Sequence, residues 1–395
     1  MAASVGGAMF LKAAEASGNI KDVDYVANLF KPVIQEVGSQ NIIQVITNNG
    51  SNFKVAGGII ESIYPHIFWT PCVVHCLNLA LKSIYEPSKN SPQFAECKWI
   101  ADLVSSVQNI RNFIVNHSMV LSIFNTYSKL GLLRVAETRF ALNIIMAKRM
   151  REVNDALEKM VMDSSWRMHL KWDGKSAIEI KVREVKISIV NDSWWADLEY
   201  LLDFTESIVE FLRLANTDAL VLHLIYDMWD TMIEKVKSRI FGHEKQDLLT
   251  GQCNFFDVIH NILETRWNKS NNPLHCMAHS LVPKYYTEGW IGGGNDGVSR
   301  LSPHEDQEVF LNRNKCFKRL FSNQDDLQKV YIEYGAFSSG SGGDKFDIDG
   351  NTLGELVELS INEPELELMT FDEEFEESTT LGTEQPEEFQ QGMMD

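Results

Sequence analysis

The chain has 395 residues, 44% of them hydrophobic, which is enough to bury a sizeable core and argues against disorder throughout. No apolar run approaches the roughly 20 residues needed to cross a bilayer, and no basic signal-peptide segment opens the sequence. Six scattered cysteines fit a reducing compartment. We therefore expect a nuclear or cytosolic protein and neither a membrane nor a secreted one. The net charge of −19 argues against a generally basic nucleic-acid binder.

Residues 1–90 mix helical and strand patterns, and we predict an α/β domain there. An amphipathic helix is predicted over Val23–Val37, a buried strand over Ile42–Ile46 and a second helix near Lys54–Tyr64. A third helix starts at the Cys-Val-Val-His-Cys motif and spans Cys72–Tyr85.

Residues 91–290 repeat apolar side chains every three or four positions, and we predict a helical domain. One segment, Ala177–Val190, alternates with period two and predicts a strand, although tertiary contacts could make it helical. Residues 291–343 are polar and glycine-rich, and we predict a linker with one helix over Pro303–Tyr334. Residues 344–395 contain 17 acidic side chains and one lysine, which predicts a disordered acidic tail that contacts a protein partner or repels DNA.

The end of the predicted strand is the first candidate site. The strand stops at Thr47-Asn48-Asn49-Gly50, a run of turn-forming residues. Ligands of α/β folds bind at the carboxyl ends of strands, where an aspartate would suit a divalent metal. This chain has the neutral amide of Asn48 there.

Several separated motifs resemble the plant hAT-superfamily transposases. They are "ITNNGSN" (46–52), "WTPCVVHCLNL" (69–79), "AETRFALNIIM" (136–146) and "NNPLHCMAHSLVPKYYT" (271–287), and they occur in the family's order. The resemblance implies an RNase H-like catalytic core interrupted by a large helical insertion. It also implies three acidic residues that hold two divalent metals, an upstream zinc finger and a C-terminal dimerisation segment.

The sequence departs from that pattern in ways that bear on function. Asn48 stands where the family has its second acid, and the segments that carry the first and third acids do not appear. The zinc finger and most of the dimerisation region do not appear either. We therefore expect a truncated protein with a partial RNase H-like core, a lost Mg²⁺ site, no cofactor and weakened self-association. The predicted fold class is α/β plus α.

Five residues remain as candidate binding groups. The resemblance suggests that Arg139 and His75 touch nucleic acid, although Arg139 could instead pair with Glu137 or face solvent. Two short Cys/His pairs are weak zinc candidates, but about two hundred residues separate them, and cysteines in apolar helices are usually core residues. The pairs are Cys72 with His75 and Cys276 with His279.

Three functions are compatible with these patterns. The first is a catalytically inactive, transposase-derived protein that acts through protein contacts or weak DNA association. The second is a pure protein-interaction module, with the helical insertion or the acidic tail as the contact surface. The third is an active metal-dependent transposase, which would need three carboxylates to converge near Asn48. The nearby acids considered for this role are Asp22, Asp24 and Glu61.

Overall fold

The computed structural model describes residues 1–4, 7–14, 18, 20–132, 141–169, 177–217, 220–293 and 299–340. All of them belong to one unit, Met1–Asn362. The predictions for Arg139 and for the acidic tail lie outside the described residues. The described part is mostly helical with two small sheets, as the predicted α/β-plus-α class requires.

The first sheet is an antiparallel hairpin of strands β1 (Ala2–Ser4) and β2 (Gly7–Met9). Ala3 pairs with Ala8. Met9 is 61% exposed, so this hairpin contributes no core of its own.

The α/β part follows in the order helix α1, strand β3, helix α2, strand β4 and helix α3. Helix α1 is confirmed as predicted, and its N-cap Asp22 accepts a hydrogen bond of 2.8 Å from the backbone N–H of Tyr25. Strands β3 and β4 are parallel, with Val45 opposite Trp69, so β3, α2 and β4 form a βαβ unit. The bounds are α1 Val23–Val37, β3 Gln44–Thr47, α2 Ser51–Ile63, β4 Phe68–Pro71 and α3 Val73–Tyr85.

Helices cover the two faces of this parallel sheet unequally. On one face Val45 packs with Ile34 of α1 and Ile60 of α2. On the other face Phe68 of β4 is covered by more distant parts of the chain, whereas Ile46 of β3 stays 57% exposed. Within the described residues β3 pairs with β4 alone, so β3 is an edge strand with an uncovered face.

In the described part of the chain, nine further helices form a bundle with one continuous apolar core that α3 joins. The longest of them, α10, starts where Asn191 accepts a 3.0 Å hydrogen bond from the N–H of Ser193, and Leu198, Phe204 and Ile208 are fully buried. The helices are α4 Phe94–Asn116, α5 Ser118–Tyr127, α6 Ala141–Glu152, α7 Asn154–Met162, α8 Ser164–His169, α9 Ala177–Ile189, α10 Asp192–Ala215, α11 Ile225–His243 and α12 Asn254–Ser270.

The prediction of a strand over Ala177–Val190 is wrong, because this segment is α9. Val182, Val185 and Ile189 are at most 4% exposed and follow helical spacing, whereas Ile187 is 56% exposed. Helices α4, α7 and α10 pack against α9, so tertiary packing selects the helix over the period-two pattern.

The prediction of a linker with one helix is also wrong. The segment from Pro303 to Tyr334 contains two helices, because Asn323 caps a new helix by accepting a 2.8 Å hydrogen bond from the N–H of Asp325. Buried Val309, Cys316 and Phe317 pack the first of these helices into the fold. The elements are α13 Pro273–Ser280, a 3₁₀ turn Pro283–Tyr286, α14 Glu288–Ile291, α15 Gln307–Leu320 and α16 Gln324–Ser338.

Residues Gly335–Ser338 fall in the predicted linker beyond its predicted helix, and they are the last turn of α16. None of the described helices combines the length and the hydropathy that spanning a bilayer requires.

Candidate functional site

The carboxyl ends of β3 and β4 lie side by side. Thr47 is opposite Pro71, and the N–H of Cys72 donates a 2.7 Å hydrogen bond to the carbonyl of Thr47. Asn48 and Cys72 therefore leave the sheet at the same edge, which we call the carboxyl edge. Helices α2 and α3 both begin there, and neither has an acidic residue in its first turn. Their N-termini place partial positive charge at one edge of the sheet.

Two hydrogen bonds hold the turn that carries Asn48. The indole Nε1 of Trp69 donates to the hydroxyl of Thr47 at 2.8 Å, and that hydroxyl donates to the carbonyl of Asn48 at 2.9 Å. Asn48 is thereby positioned by a side chain from the neighbouring strand. The sequence predicted the turn, but it gave no signal for the indole that fixes it.

The nearby acids Asp22 and Glu61 do not form a carboxylate cluster around Asn48. Asp22 lies close to the carboxyl edge, because Asn52 in α2 donates to the carbonyl of Lys21 at 2.9 Å, but its carboxylate caps α1. Glu61 lies at the other end of α2 and pairs with Arg319. In the described part of the chain no group of three or more His, Cys, Asp or Glu side chains is arranged to hold a metal ion.

The end of α12 completes the carboxyl edge. The side-chain amide of Asn49 donates to the carbonyl of Lys269 at 3.4 Å, which brings an exposed lysine to the edge from 220 residues away. Arg266, one turn earlier, donates to the hydroxyl of Ser83 on α3 at 3.0 Å. Two cationic residues of α12 thus lie against α3 and the turn after β3, and sequence analysis missed both.

The predicted Cys/His pairs lie in different surroundings. Cys72 is the N-cap residue of α3, and His75 is in the first turn of that helix, so both belong to the carboxyl edge and are partly exposed. Cys276 and His279 are buried on α13. Burial raises the pKa of the Cys276 thiol to about 12 and lowers the pKa of His279 to about 3. His279 stacks on Tyr285 with 3.9 Å between ring centroids, as a core residue does.

The other nucleic-acid candidate, Arg139, lies outside the described residues. The described chain resumes at Ala141, whose N–H donates to the side chain of Asn78 on α3 at 3.3 Å. Asn78 is one helical turn beyond His75. The first described residue after the Thr-Arg-Phe motif is thus beside the helix that carries His75.

Sequence analysis also missed Asn272. It caps α13 through a 2.9 Å hydrogen bond from the N–H of Leu274, and its amide donates to the carbonyl of Trp69 in β4 at 2.7 Å. His275 completes a capping box with it, and burial lowers the pKa of His275 to about 4. The signal was present, because asparagine directly before proline marks a helix start.

A separate surface lies in the helical bundle. An open groove of about 1010 Å³ runs along α10 between α6 and α11. Arg239 and Lys235 of α11 pair with Asp203 and Glu210 of α10 at 3.4 and 3.5 Å. Apolar side chains such as Met228 line the groove together with Asp203, Glu210 and Lys235, so it has the mixed apolar and charged character of a surface that could bind an amphipathic helix.

A comparison with known protein families finds a match in the first part of the chain. Residues 1–110 match a domain of unknown function, DUF659, which is found in hAT-like, transposase-related plant proteins. The match covers the α/β part and reaches into α4. No curated protein and no solved structure matches the chain. The match agrees with the resemblance in residues 1–110, and the motifs at residues 136–146 and 271–287 lie outside it.

Proposed function

We propose that the chain is a transposase-derived nuclear protein that binds nucleic-acid phosphates weakly at the carboxyl edge and does not cut them. The proposal rests on one observation. Asn48, at the position of a family acid, ends β3 where two helix N-termini and Lys269 meet. The parallel β3–α2–β4 unit supports the further proposal that residues 1–90 are part of an RNase H-like core.

Loss of cutting follows from metal chemistry. Two-metal strand cleavage depends on carboxylates that gather and place hard cations. An amide oxygen coordinates Mg²⁺ without contributing charge, and the carboxylate of Asp22 is engaged by the N–H of Tyr25. An edge with this composition lacks the charge to concentrate two divalent ions.

The same composition suits phosphate. Backbone N–H groups at helix N-termini bind anions, and a neutral amide does not repel them as an aspartate would. Few cations take part, so we expect sequence-independent binding with a dissociation constant of about 10⁻⁶ to 10⁻⁴ M and a shallow salt dependence.

Fluorescence anisotropy with an arbitrary duplex at about 50 mM salt tests the edge. Lys269→Glu should weaken binding about three- to tenfold, because one phosphate contact is replaced by repulsion. Lys318→Glu is the matched control, because that exposed lysine adjoins Arg319, which contacts the amino end of β4. If both variants lose the same amount of binding affinity, the carboxyl edge is not the binding surface.

A plasmid-nicking assay tests the loss of catalysis. The full chain should leave supercoiled DNA intact in Mg²⁺ and in Mn²⁺. Asn48→Asp should not restore nicking, because one carboxylate does not rebuild a two-metal site. Metal-dependent nicking by the unchanged protein that disappears in Asn48→Ala would overturn the proposal.

The groove along α10 favours a second candidate, a protein-interaction module. It is lined by both charged and apolar side chains on the helical part of the chain, outside the matched domain. This candidate requires no DNA binding. Undetectable anisotropy change at low salt, with the folded state verified by circular dichroism, would favour it over phosphate binding.

A further inference from the structure

Arg313 of α15 is a buried cation. Its side chain is 3% exposed, and its guanidinium lies over the ring of Tyr334 at 3.9 Å and over the ring of Phe310 at 5.2 Å. Its Nη1 donates to the hydroxyl of Tyr334, and its Nε has no hydrogen-bond partner. A buried donor of this kind costs free energy unless something satisfies it.

No carboxylate of the described residues forms an ion pair with Arg313. Arg319, two turns further along the same helix, pairs with Glu61 at 2.9 Å. Burying a guanidinium without a counter-charge is unfavourable, and aromatic faces repay only part of that cost. Within the described residues, the buried guanidinium of Arg313 therefore has no anion that balances its charge.

The surroundings of Arg313 would suit one. The hydroxyl of Tyr334 is 2.6 Å from the hydroxyl of Tyr286, and the ring of His304 stacks on Tyr286 at 5.8 Å. The hydroxyl of Tyr286 also donates to the carbonyl of Ser280 at 2.7 Å, so both hydroxyls are already engaged, and neither they nor the imidazole brings negative charge at neutral pH. Phe310, which covers the guanidinium, is itself 45% exposed, so its side chain can move without opening the core.

We propose that Arg313 anchors a binding site for a small oxyanion, of phosphate or carboxylate type, between α15 and α16. The anion accepts a hydrogen bond from Nε and replaces part of the contact that Phe310 now makes. Helix α16 forms the outer wall, and Tyr334 is its one buried side chain among the described residues. The site is separate from the carboxyl edge and does not depend on the function proposed for it.

Thermal unfolding of the full chain tests the site with inorganic phosphate, acetate and chloride at equal ionic strength. Phosphate at about ten times its dissociation constant should raise the unfolding midpoint by about 2 °C over chloride. A shift in acetate as well would identify a site for oxyanions in general, and a shift in phosphate alone a site for phosphate. No shift in either anion overturns the proposal.

Four variants test whether the shift depends on Arg313. Arg313→Met should abolish it, and Arg313→Lys, which keeps the charge and removes Nε, should abolish or halve it. The exposed neighbour Lys318→Met should keep the full shift. Tyr334→Phe removes the hydroxyl that now accepts from Arg313, so its shift should grow. An undiminished shift in both Arg313 variants, or a smaller one in Tyr334→Phe, contradicts the assignment.

Discussion

Arg319 and Glu61 join two parts of the chain that lie more than 250 residues apart, with 2.9 Å between Nη1 and Oε1. The same guanidinium donates to the carbonyls of Pro65 and Ile67 and lies 4.1 Å from the ring of Phe68. Helix α15 thereby holds the amino end of β4. The α/β part depends on residues far outside the matched domain.

Replacing Arg319 should therefore weaken the whole fold. Arg319→Met removes the ion pair and two charged hydrogen bonds at a site that is about a quarter exposed, and we expect a loss of about 1–3 kcal/mol in the free energy of unfolding. Urea denaturation followed by circular dichroism measures it. The neighbour Lys318→Met should stay within about 0.5 kcal/mol of the original. Equal stability of the two variants would show that the contact is unimportant.

Two adjacent glycines of α2 should respond oppositely to alanine. A Cβ on Gly57 would lie 2.2 Å from the ring of Trp69, whereas a Cβ on Gly58 would meet nothing within 4 Å. Gly57→Ala should destabilise the protein by about 1–3 kcal/mol through overpacking. Gly58→Ala should stabilise it by about 0.5–1 kcal/mol, because alanine restricts the unfolded chain.

Thermal unfolding of both glycine variants gives the comparison. Trp69 also fixes Thr47, so Gly57→Ala should additionally weaken DNA binding at the carboxyl edge if that function holds. A harmless Gly57→Ala would mean that Trp69 does not pack against α2.

Stability should fall in mild acid because of buried histidines. The pKa of His275 is lowered to about 4 and that of His279 to about 3, in both cases chiefly by burial, from an ordinary value of 6.5. Below pH 6.5 the unfolded chain therefore binds protons that the folded chain does not. Stability is fully present above that pH and is lost as the pH falls towards 4, on the order of 3 kcal/mol per histidine.

Denaturation series between pH 8 and pH 4.5 measure this dependence. His275→Gln keeps an acceptor for the capping box and should reduce the slope by about one proton. The difference between the two free energies of unfolding at pH 8 gives the loss of stability that the substitution itself causes. An unchanged slope in His275→Gln would contradict burial of a neutral imidazole.

Amide exchange should alternate along β3. The carbonyls of Ile43 and Thr47 accept from Phe68 and Cys72 of the β4 segment at 2.7 Å. In a parallel ladder the N–H groups of Val45 and Thr47 then point to β4, and those of Gln44 and Ile46 point away. We expect slow exchange at the first pair and fast exchange at the second, measured by hydrogen–deuterium NMR. Slow exchange at all four N–H groups would mean that another strand pairs with the free side of β3.

Local patterns were enough for the elements that carry strong signals. Helix α1 runs over Val23–Val37 as predicted, and the turn after β3 contains the predicted Asn48. Apolar spacing and cap residues act over a few positions, so they are readable in the sequence alone. The helix-capping Asn323 that separates α15 from α16 is also a local signal, but it was missed because it lies in a polar segment.

Local patterns define which groups are available: an amide in place of an acid, two helix starts and a strongly acidic final segment. Packing between distant elements then makes α9 a helix, brings Lys269 to Asn49, pairs Arg319 with Glu61 and buries Arg313 without an ion pair to a carboxylate of the described residues. These contacts join residues from different elements. Their free energy comes from burial and pairing across the fold, which no local pattern encodes.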